Sequence, residues 1–326
     1  MGHTWVKQRF IDPSPPGIPT EITKEVFNPR TQKREKITKT QVRLFASYKE
    51  NKYLSPEYVL ELESITDINK RRAWLWGDWD ITSGGMFDDV WSTEYNIVED
   101  FQIPNNWLVY RSFDWGSSKP FSVGWWAESD GSDVQLSNGQ WKNTVRGDLF
   151  RISEWYGWTG KPNTGLRMLA TKVARGIIER EIKMGLRHRV RPGPADNSIN
   201  TEENGACIAK DMGQTITIDG KKYKGVHWSA SNKSPGSRKN GWEKLRSAIY
   251  NAQPPETGGP REFPGLFVFR SCQDGFIRTV PTIPRSTKDL DDVDTDAEDH
   301  VADEVRYMIL STGGRFTTFG TSIGHT

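Results

Sequence analysis

The stretch "YRSFDWGSSKPFSVGWWAESDG", residues 110–131, sets one carboxylate, Asp114, in an otherwise apolar and aromatic strand. A lone charged carboxylate is expensive to take out of water unless something pairs with it. Asp114 is therefore either a structural or edge residue or a functional group with partners elsewhere in the chain. Residues 107–115 read as a buried strand, and 121–128 alternate like its hairpin partner. Neighbouring strand residues point to opposite faces, so Trp125 and Trp126 are expected to place one ring in the core and the other at a surface or interface.

Outward from this hairpin the pattern is mixed α/β. After a polar insertion at 129–147, residues 149–158 make a third strand. A helix is expected over about 164–184, with Leu166, Leu169, Val173, Ile177 and Ile178 on one stripe. "HRVRPGPADNS" reads as a short strand ending at a loop, "YKGVHWSAS" as a strand and "SRKNGWEKLRSAIYNA" as a helix. "GLFVFRS" reads as a strand, and "AEDHVADEVRYMILS" closes the pattern as a helix. Three strands followed by alternating helices and strands predict an α/β sheet with helices on its faces.

Residues 1–100 read as a smaller, separate region before a larger one at 101–326, with a soft boundary near 100. In the first region, Ser55 is a candidate N-cap with Pro56 at the first helical position. Tyr58, Leu60, Leu62 and Ile65 are candidate apolar contacts, and 69–75 a candidate second helix. Trp74, Trp76 and Trp79 are expected to join this linker to a neighbouring domain. A net charge of +2 leaves room for a nucleic-acid surface only as a local patch. Cys207 and Cys272 have no metal-like spacing, so free thiols and a cytoplasmic setting are expected. No apolar run approaches the roughly 18 residues of a membrane span.

Acidic residues fall at the ends of these elements: Asp114 in the first strand, Asp196 after the fourth, and Asp299, His300 and Asp303 on the last helix. Asp299 and Asp303 are spaced i, i+4, and His300 and Asp303 i, i+3, so either pair can face one side of a helix. Carboxylates drawn together repel and stay ionised only with cations between them. Oxygen-rich sites of this kind suit Mg²⁺ or Mn²⁺, and two such ions support phosphodiester hydrolysis. Each acid has a plainer reading as well. Asp196 suits a turn or N-cap, and "DLDDVDTDAEDH" suits a solvated loop with Asp294 or Asp296 capping the helix. Glu154 is expected at the surface, with a place behind the site as the alternative, and His227 as a hydrogen-bonded strand residue.

At these residues the chain resembles the C-terminal half of the large terminase subunit of tailed bacteriophages. "FDWGSSKPFSVGWW" is similar to that family's first nuclease motif, "PGPADNSI" to the second, and "DTDAEDHVADEVRYMILS", with its D-H-x-x-D-x-x-R-Y pattern, to the third. Upstream, "GHTWVKQRF" and "RRAWLWGDWDITSGGMF" are similar to the end of the ATPase domain and the segment after it, so the likeness runs over about 2–312. It implies an RNase H-like mixed sheet with helices on both faces, preceded by a smaller linker or ATPase-remnant region. The implied activity is a two-metal endonuclease cutting concatemeric phage DNA during genome packaging in the host cytoplasm. Carried over, Asp114 and Asp196 are metal ligands from the first two motifs, and Asp299, His300 and Asp303 are candidates from the third, with His300 and Asp303 favoured. The implied partners are double-stranded DNA, the portal protein, the small terminase subunit and the ATPase half. The G-x-x-x-x-G-K-[ST] phosphate loop of a packaging ATPase is not in this sequence, so ATP-driven translocation is not expected of the chain alone.

Basic residues concentrate in 172–193, which suits the solvated face of an amphipathic helix, and in "SNKSPGSRKNGW" at 231–242. Lys233, Arg238 and Lys239 of the second stretch are the expected phosphate contacts, with Lys221 and Lys222 at a hairpin tip. No Ser/His/Asp or Cys/His set is present for covalent catalysis. The alternatives are a resolvase- or transposase-type RNase H-like nuclease, which the upstream segments argue against, and a non-catalytic DNA- or portal-docking module with the acids as caps and surface charge.

Overall fold

The computed structural model describes residues 6–63, 75–77, 79, 84–202, 205, 207–255, 258–286 and 288–312. The chain divides into two compact units, 1–89 and 90–326. The division falls ahead of residue 100 because the short helix α2 and strand β3, described below, belong to the second unit.

The first unit contains an antiparallel hairpin, β1 (Thr20–Asn28) and β2 (Lys33–Gln41), and a short helix, α1 (Pro56–Glu63). Pro56 opens α1 as expected, and the Ser55 hydroxyl accepts from the Tyr58 N–H at 3.2 Å. Tyr58 and Leu60 are exposed, so they do not make the expected core contacts. The Leu62 side chain, Ile65, Trp74 and residues 69–74 of the expected second helix lie outside what is described.

In chain order the second unit contains α2 (Thr93–Asn96), β3 (Ile97–Val98), β4 (Leu108–Asp114), β5 (Ser122–Glu128), β6 (Val134–Gln135) and β7 (Trp141–Lys142). Next come β8 (Leu149–Tyr156), α3 (Ala170–Lys183), β9 (Val190–Ala195), α4 (Ile208–Met212), β10 (Ile216–Ile218) and β11 (Lys221–Tyr223). The last are β12 (Ser229–Ala230), α5 (Ser237–Tyr250), β13 (Leu266–Phe269) and α6 (His300–Ser311). Seven strands form one sheet in the order β12-β9-β4-β5-β8-β13-β3. Neighbours pair in parallel except on either side of β5, which alone runs against the others. The five strands from β8 to β12, with the second in chain order reversed, are the RNase H-like arrangement that the sequence resemblance implies.

Helices cover both faces, and the strand alternation shows it. Arg111 and Phe113 of β4 face one side, where Arg111 Nη1 donates to Glu181 of α3 at 2.9 Å and Phe113 stacks on Trp228 with centroids 4.8 Å apart. Ser112 and Asp114 face the other side, toward α6. A sheet covered twice has no wet face, so Trp125 and Trp126 are both fully buried. This corrects the expectation that one ring reaches a surface. Each indole instead donates to a buried glutamate, Trp125 to Glu181 and Trp126 to Glu304 of α6, both at 3.2 Å.

The helix expected from about 164 begins at Ala170. Ahead of it the chain is pinned by Gly165 N–H to Ser118 O at 2.8 Å and Leu166 N–H to Gly157 O at 3.0 Å. Asn163 and Arg167 also take positive φ there, at 56° and 53°, which stops a helix from starting. Leu166 and Leu169 are accordingly exposed, whereas Val173, Ile177 and Ile178 are in the core. Both cysteines are buried and free. Among the described residues no helix is long and apolar enough to cross a membrane.

Candidate active site

Asp114 is the last residue of β4, and Asp196 directly follows β9, which pairs in parallel with β4 through Phe113 and Ala195. Parallel pairing brings both carboxylates to the same end of the sheet, at strand C-termini, where open α/β sheets bind ligands. Helix α6 lies across this end, and its first turn sets His300 Nδ1 3.4 Å from Asp114 Oδ2 and 3.9 Å from Asp299 Oδ1. Two turns along, the Tyr307 hydroxyl donates to Asp196 Oδ2 at 2.8 Å.

Burial pushes the Asp114 carboxyl up to about 7; the charges of Asp303 and Asp196 act the same way and His300 opposes them. Asp299 is raised by its burial and by the charge of Asp303. Burial works against the His300 imidazolium, but its bond to Asp114 and the two aspartate charges outweigh this and raise it. The Tyr307 hydroxyl is also raised, by burial first and then by Asp114, Asp303 and Asp196. The three acids of the sequence motifs therefore act on a common point.

Two of them also carry cations. Lys233 Nζ donates to Asp196 Oδ2 at 2.6 Å, and the Ser198 N–H donates to Asp196 Oδ1 at 2.8 Å. These bonds and that of Tyr307 outweigh burial and hold Asp196 well below the usual carboxylate range. Asp196 thus fills the N-cap reading as well. Asp303 is flanked by Arg306, at 3.0 Å, and by Arg238, at 3.2 Å. Arg238 is held in turn through Nε by both oxygens of Asp292 at 2.8 Å.

The donor chemistry, carboxylate oxygens with one imidazole, suits a hard divalent cation. Among the described residues, however, no three His, Cys, Asp or Glu side chains are gathered closely enough to hold one ion. Lys233, Arg238 and Arg306 stand against two of the acids instead.

Of the expected DNA contacts, Lys233 and Arg238 are thus at the site, and Lys239 pairs with Asp289 at 2.8 Å. Lys221 and Lys222 lie exposed on the β10–β11 hairpin. Asp294 and Asp296 do not cap α6. Its N-cap position is Asp299, whose side chain makes no capping bond, and Asp294 accepts from the Asp296 N–H at 3.0 Å. Glu154 is not a surface group: it pairs with Arg151 at 3.1 Å and accepts from the N–H groups of Gly275 and Phe276.

Three supporting residues were not singled out in the sequence. Glu304 is fully buried one residue past Asp303 and accepts from Arg151 at 2.7 Å, from Ser122 at 3.0 Å, and from Ser112 and Trp126. It ties α6 to β4, β5 and β8 directly beneath Asp114. Glu181 does the same on the other face, with Arg111 and Arg187. Asn163 turns its amide N–H toward the carbonyls of Asp296 and Ala297, at 3.0 and 3.2 Å, leaving its oxygen 3.2 Å from His300 Nε2. A glutamate on an apolar stripe is a legible signal: Glu304 is i+3 from Val301, and Glu181 is i+4 from Ile177 and i+3 from Ile178.

No family model matches the chain, and no curated protein matches it. Among solved structures it is similar to the large terminase of a thermophilic bacteriophage, at 13% identity and a TM-score of 0.47, over 83% of this chain and 55% of that one. It is also similar to the P22 large terminase nuclease domain, at 14% identity and a TM-score of 0.46, over 72% of this chain and 94% of that one. The chain thus spans little more than half the length of the thermophilic phage's terminase.

Proposed function

We propose that this chain is a divalent-metal-dependent DNA endonuclease of the large-terminase type. The observation that carries the reading is the convergence of Asp114, Asp196 and Asp303, from two strand ends and a helix, on one end of the sheet, where each presses its charge on Tyr307. Acids kept together at a strand C-terminal crevice, one with its carboxyl raised to about 7, mark a place built for something other than stability. Bound Mg²⁺ or Mn²⁺ would supply an activated water and charge stabilisation for phosphodiester hydrolysis. Asp114, Asp196, Asp303, Asp299 and His300 are the candidate ligands, which would have to draw closer to hold it, and Asn163 and Glu304 orient the helix end that carries three of them. In this reading the substrate is concatemeric double-stranded DNA in the host cytoplasm. The portal protein, small terminase subunit and an ATPase half are the partners.

A second reading, a non-catalytic docking module, is favoured by the pairing of Asp196 and Asp303 with Lys233, Arg238 and Arg306. Supercoiled plasmid incubated with the chain in Mn²⁺ and in Mg²⁺, beside Asp114→Ala, separates the two. Nicking and linearisation by the wild type alone is the expected result. Absence of cutting by either protein in both metals, with no Mn²⁺ bound, leaves the docking reading.

A further inference from the structure

Three cationic side chains stand on the candidate acids, and they are held differently. Arg306 is almost fully buried at its guanidinium, and Arg238 is anchored by both oxygens of Asp292. Lys233 has 43% of its side chain in solvent, yet its Nζ lies 2.6 Å from Asp196 Oδ2 and 3.3 Å from the Tyr307 hydroxyl.

The backbone around Lys233 is fixed. Ser231 N–H donates to Asn197 Oδ1 at 3.0 Å and to Ala195 O at 3.1 Å. Asn232 Oδ1 accepts from both the N–H and the hydroxyl of Ser234, at 2.9 and 2.7 Å. Gly236, at φ 77°, then turns the chain into α5. The long lysine stem can therefore leave Asp196 without any backbone movement, and its ammonium enters water, so no buried charge is uncovered. Neither arginine is as free: Arg306 is buried, and Arg238 is held by Asp292.

We propose that Lys233 is the resting counter-ion of Asp196: a divalent cation displaces it, and the freed ammonium takes a phosphate of the bound duplex. The inference rests on the nuclease reading and assigns the two charges of one contact to successive partners. While Lys233 is on Asp196 it competes with metal. Once displaced it stays beside the site and contributes one phosphate contact.

The test uses the full chain and Lys233→Met, which removes the ammonium and keeps the stem. Mn²⁺ binding is measured by titration calorimetry, and duplex binding in Ca²⁺ over a series of salt concentrations. The two effects should have opposite signs. Mn²⁺ is expected to bind at least about threefold more tightly to the variant, and the slope of log K against log salt to shrink by roughly one. A lysine that only stabilises the fold would weaken both together. Unchanged or weaker Mn²⁺ binding by Lys233→Met, with wild type binding Mn²⁺, overturns this inference alone, as does an unchanged salt slope. Failure of wild type to bind Mn²⁺ overturns the nuclease reading and this inference with it.

Discussion

Replacing Glu304 by alanine should be among the most damaging single changes to the second unit. Glu304 and Arg151 are both fully buried, 2.7 Å apart. Removing the carboxylate leaves the Arg151 guanidinium with Glu154 as its remaining ion pair and strips acceptors from Ser112, Ser122 and Trp126. Breaking a buried pair from one side typically costs about 3–5 kcal/mol, most of it the stranded charge. For a domain of 150–250 residues each kcal/mol lowers Tm by about 2–4 °C, so a fall of roughly 6–20 °C is expected. Removing the pair together, as Arg151→Met with Glu304→Leu, eliminates the stranded guanidinium but leaves Glu154 to the N–H groups of Gly275 and Phe276, so it should recover part of the loss. The readout is thermal melting by circular dichroism, with guanidinium midpoints as a check. The reasoning fails if Glu304→Ala shifts Tm by less than about 2 °C, or if the double variant is no more stable than the single one. The helix lost from register would be the one that carries His300, Asp303 and Tyr307.

Two further outcomes follow from the same packing. Gly124 lies against this network, and a Cβ there would run into Arg151 Nη1 and Glu304 Oε1 and sit 2.9 Å from Trp126 Nε1. Gly124→Ala should therefore cost about 1–3 kcal/mol or more in urea melts, and a neutral result would mean the network is loosely packed. Lys142 gives a pH signature, since burial first and the charge of Arg261 second push its ammonium down to about 8, against Asp148. An unfolded lysine titrates near 10.4, so between about pH 8 and 10.4 the unfolded chain holds more protons and stability rises with pH. The burial penalty is fully present below about 8 and gone above about 10.4. Lys142→Met should remove it, stabilising the protein at pH 7 by about 1–3 kcal/mol and flattening the rise; a variant less stable at pH 7 would refute the assignment.

Much of the sheet is visible in the sequence because its strands carry their own signals. The hairpin of β4 and β5, the Gly-centred turn between β10 and β11, and the helices at 237–250 and 300–311 are marked by local pattern. The approach of Asp114 to Asp196 is also readable, since both end strands that a parallel pairing aligns. What is not readable is decided by tertiary cover. The stripe from Leu166 to Ile178 is continuous in sequence, but backbone bonds of 165–167 to two other segments break it. The Trp pair divides between two faces as the alternation requires. Its exposure could not follow from two residues, because it depends on α3 and α6 lying over opposite faces. The partners of the acids are likewise non-local: Lys233 meets Asp196 across 37 residues and Arg238 meets Asp303 across 65.

The distribution of charge across the second unit separates scaffold from site. On each face a buried glutamate is closed by arginine and indole donors, Glu181 by Arg111, Arg187 and Trp125, and Glu304 by Arg151 and Trp126. These acids are fully compensated, as buried charges must be. At one end of the sheet two acids break the pattern. Asp114 and Asp299 make no ion pair with lysine or arginine among the described residues, and both carboxyls are raised. A chain able to compensate two glutamates deep in its core could have closed these two in the same way. It places a histidine between them instead, whose imidazolium their charges raise, and a metal cation could take that place. Asp196 and Asp303 at this end are closed by Lys233, Arg238 and Arg306, so it is Asp114 and Asp299, held by an ionisable imidazole where the faces use arginine, that favour the nuclease reading over a docking surface.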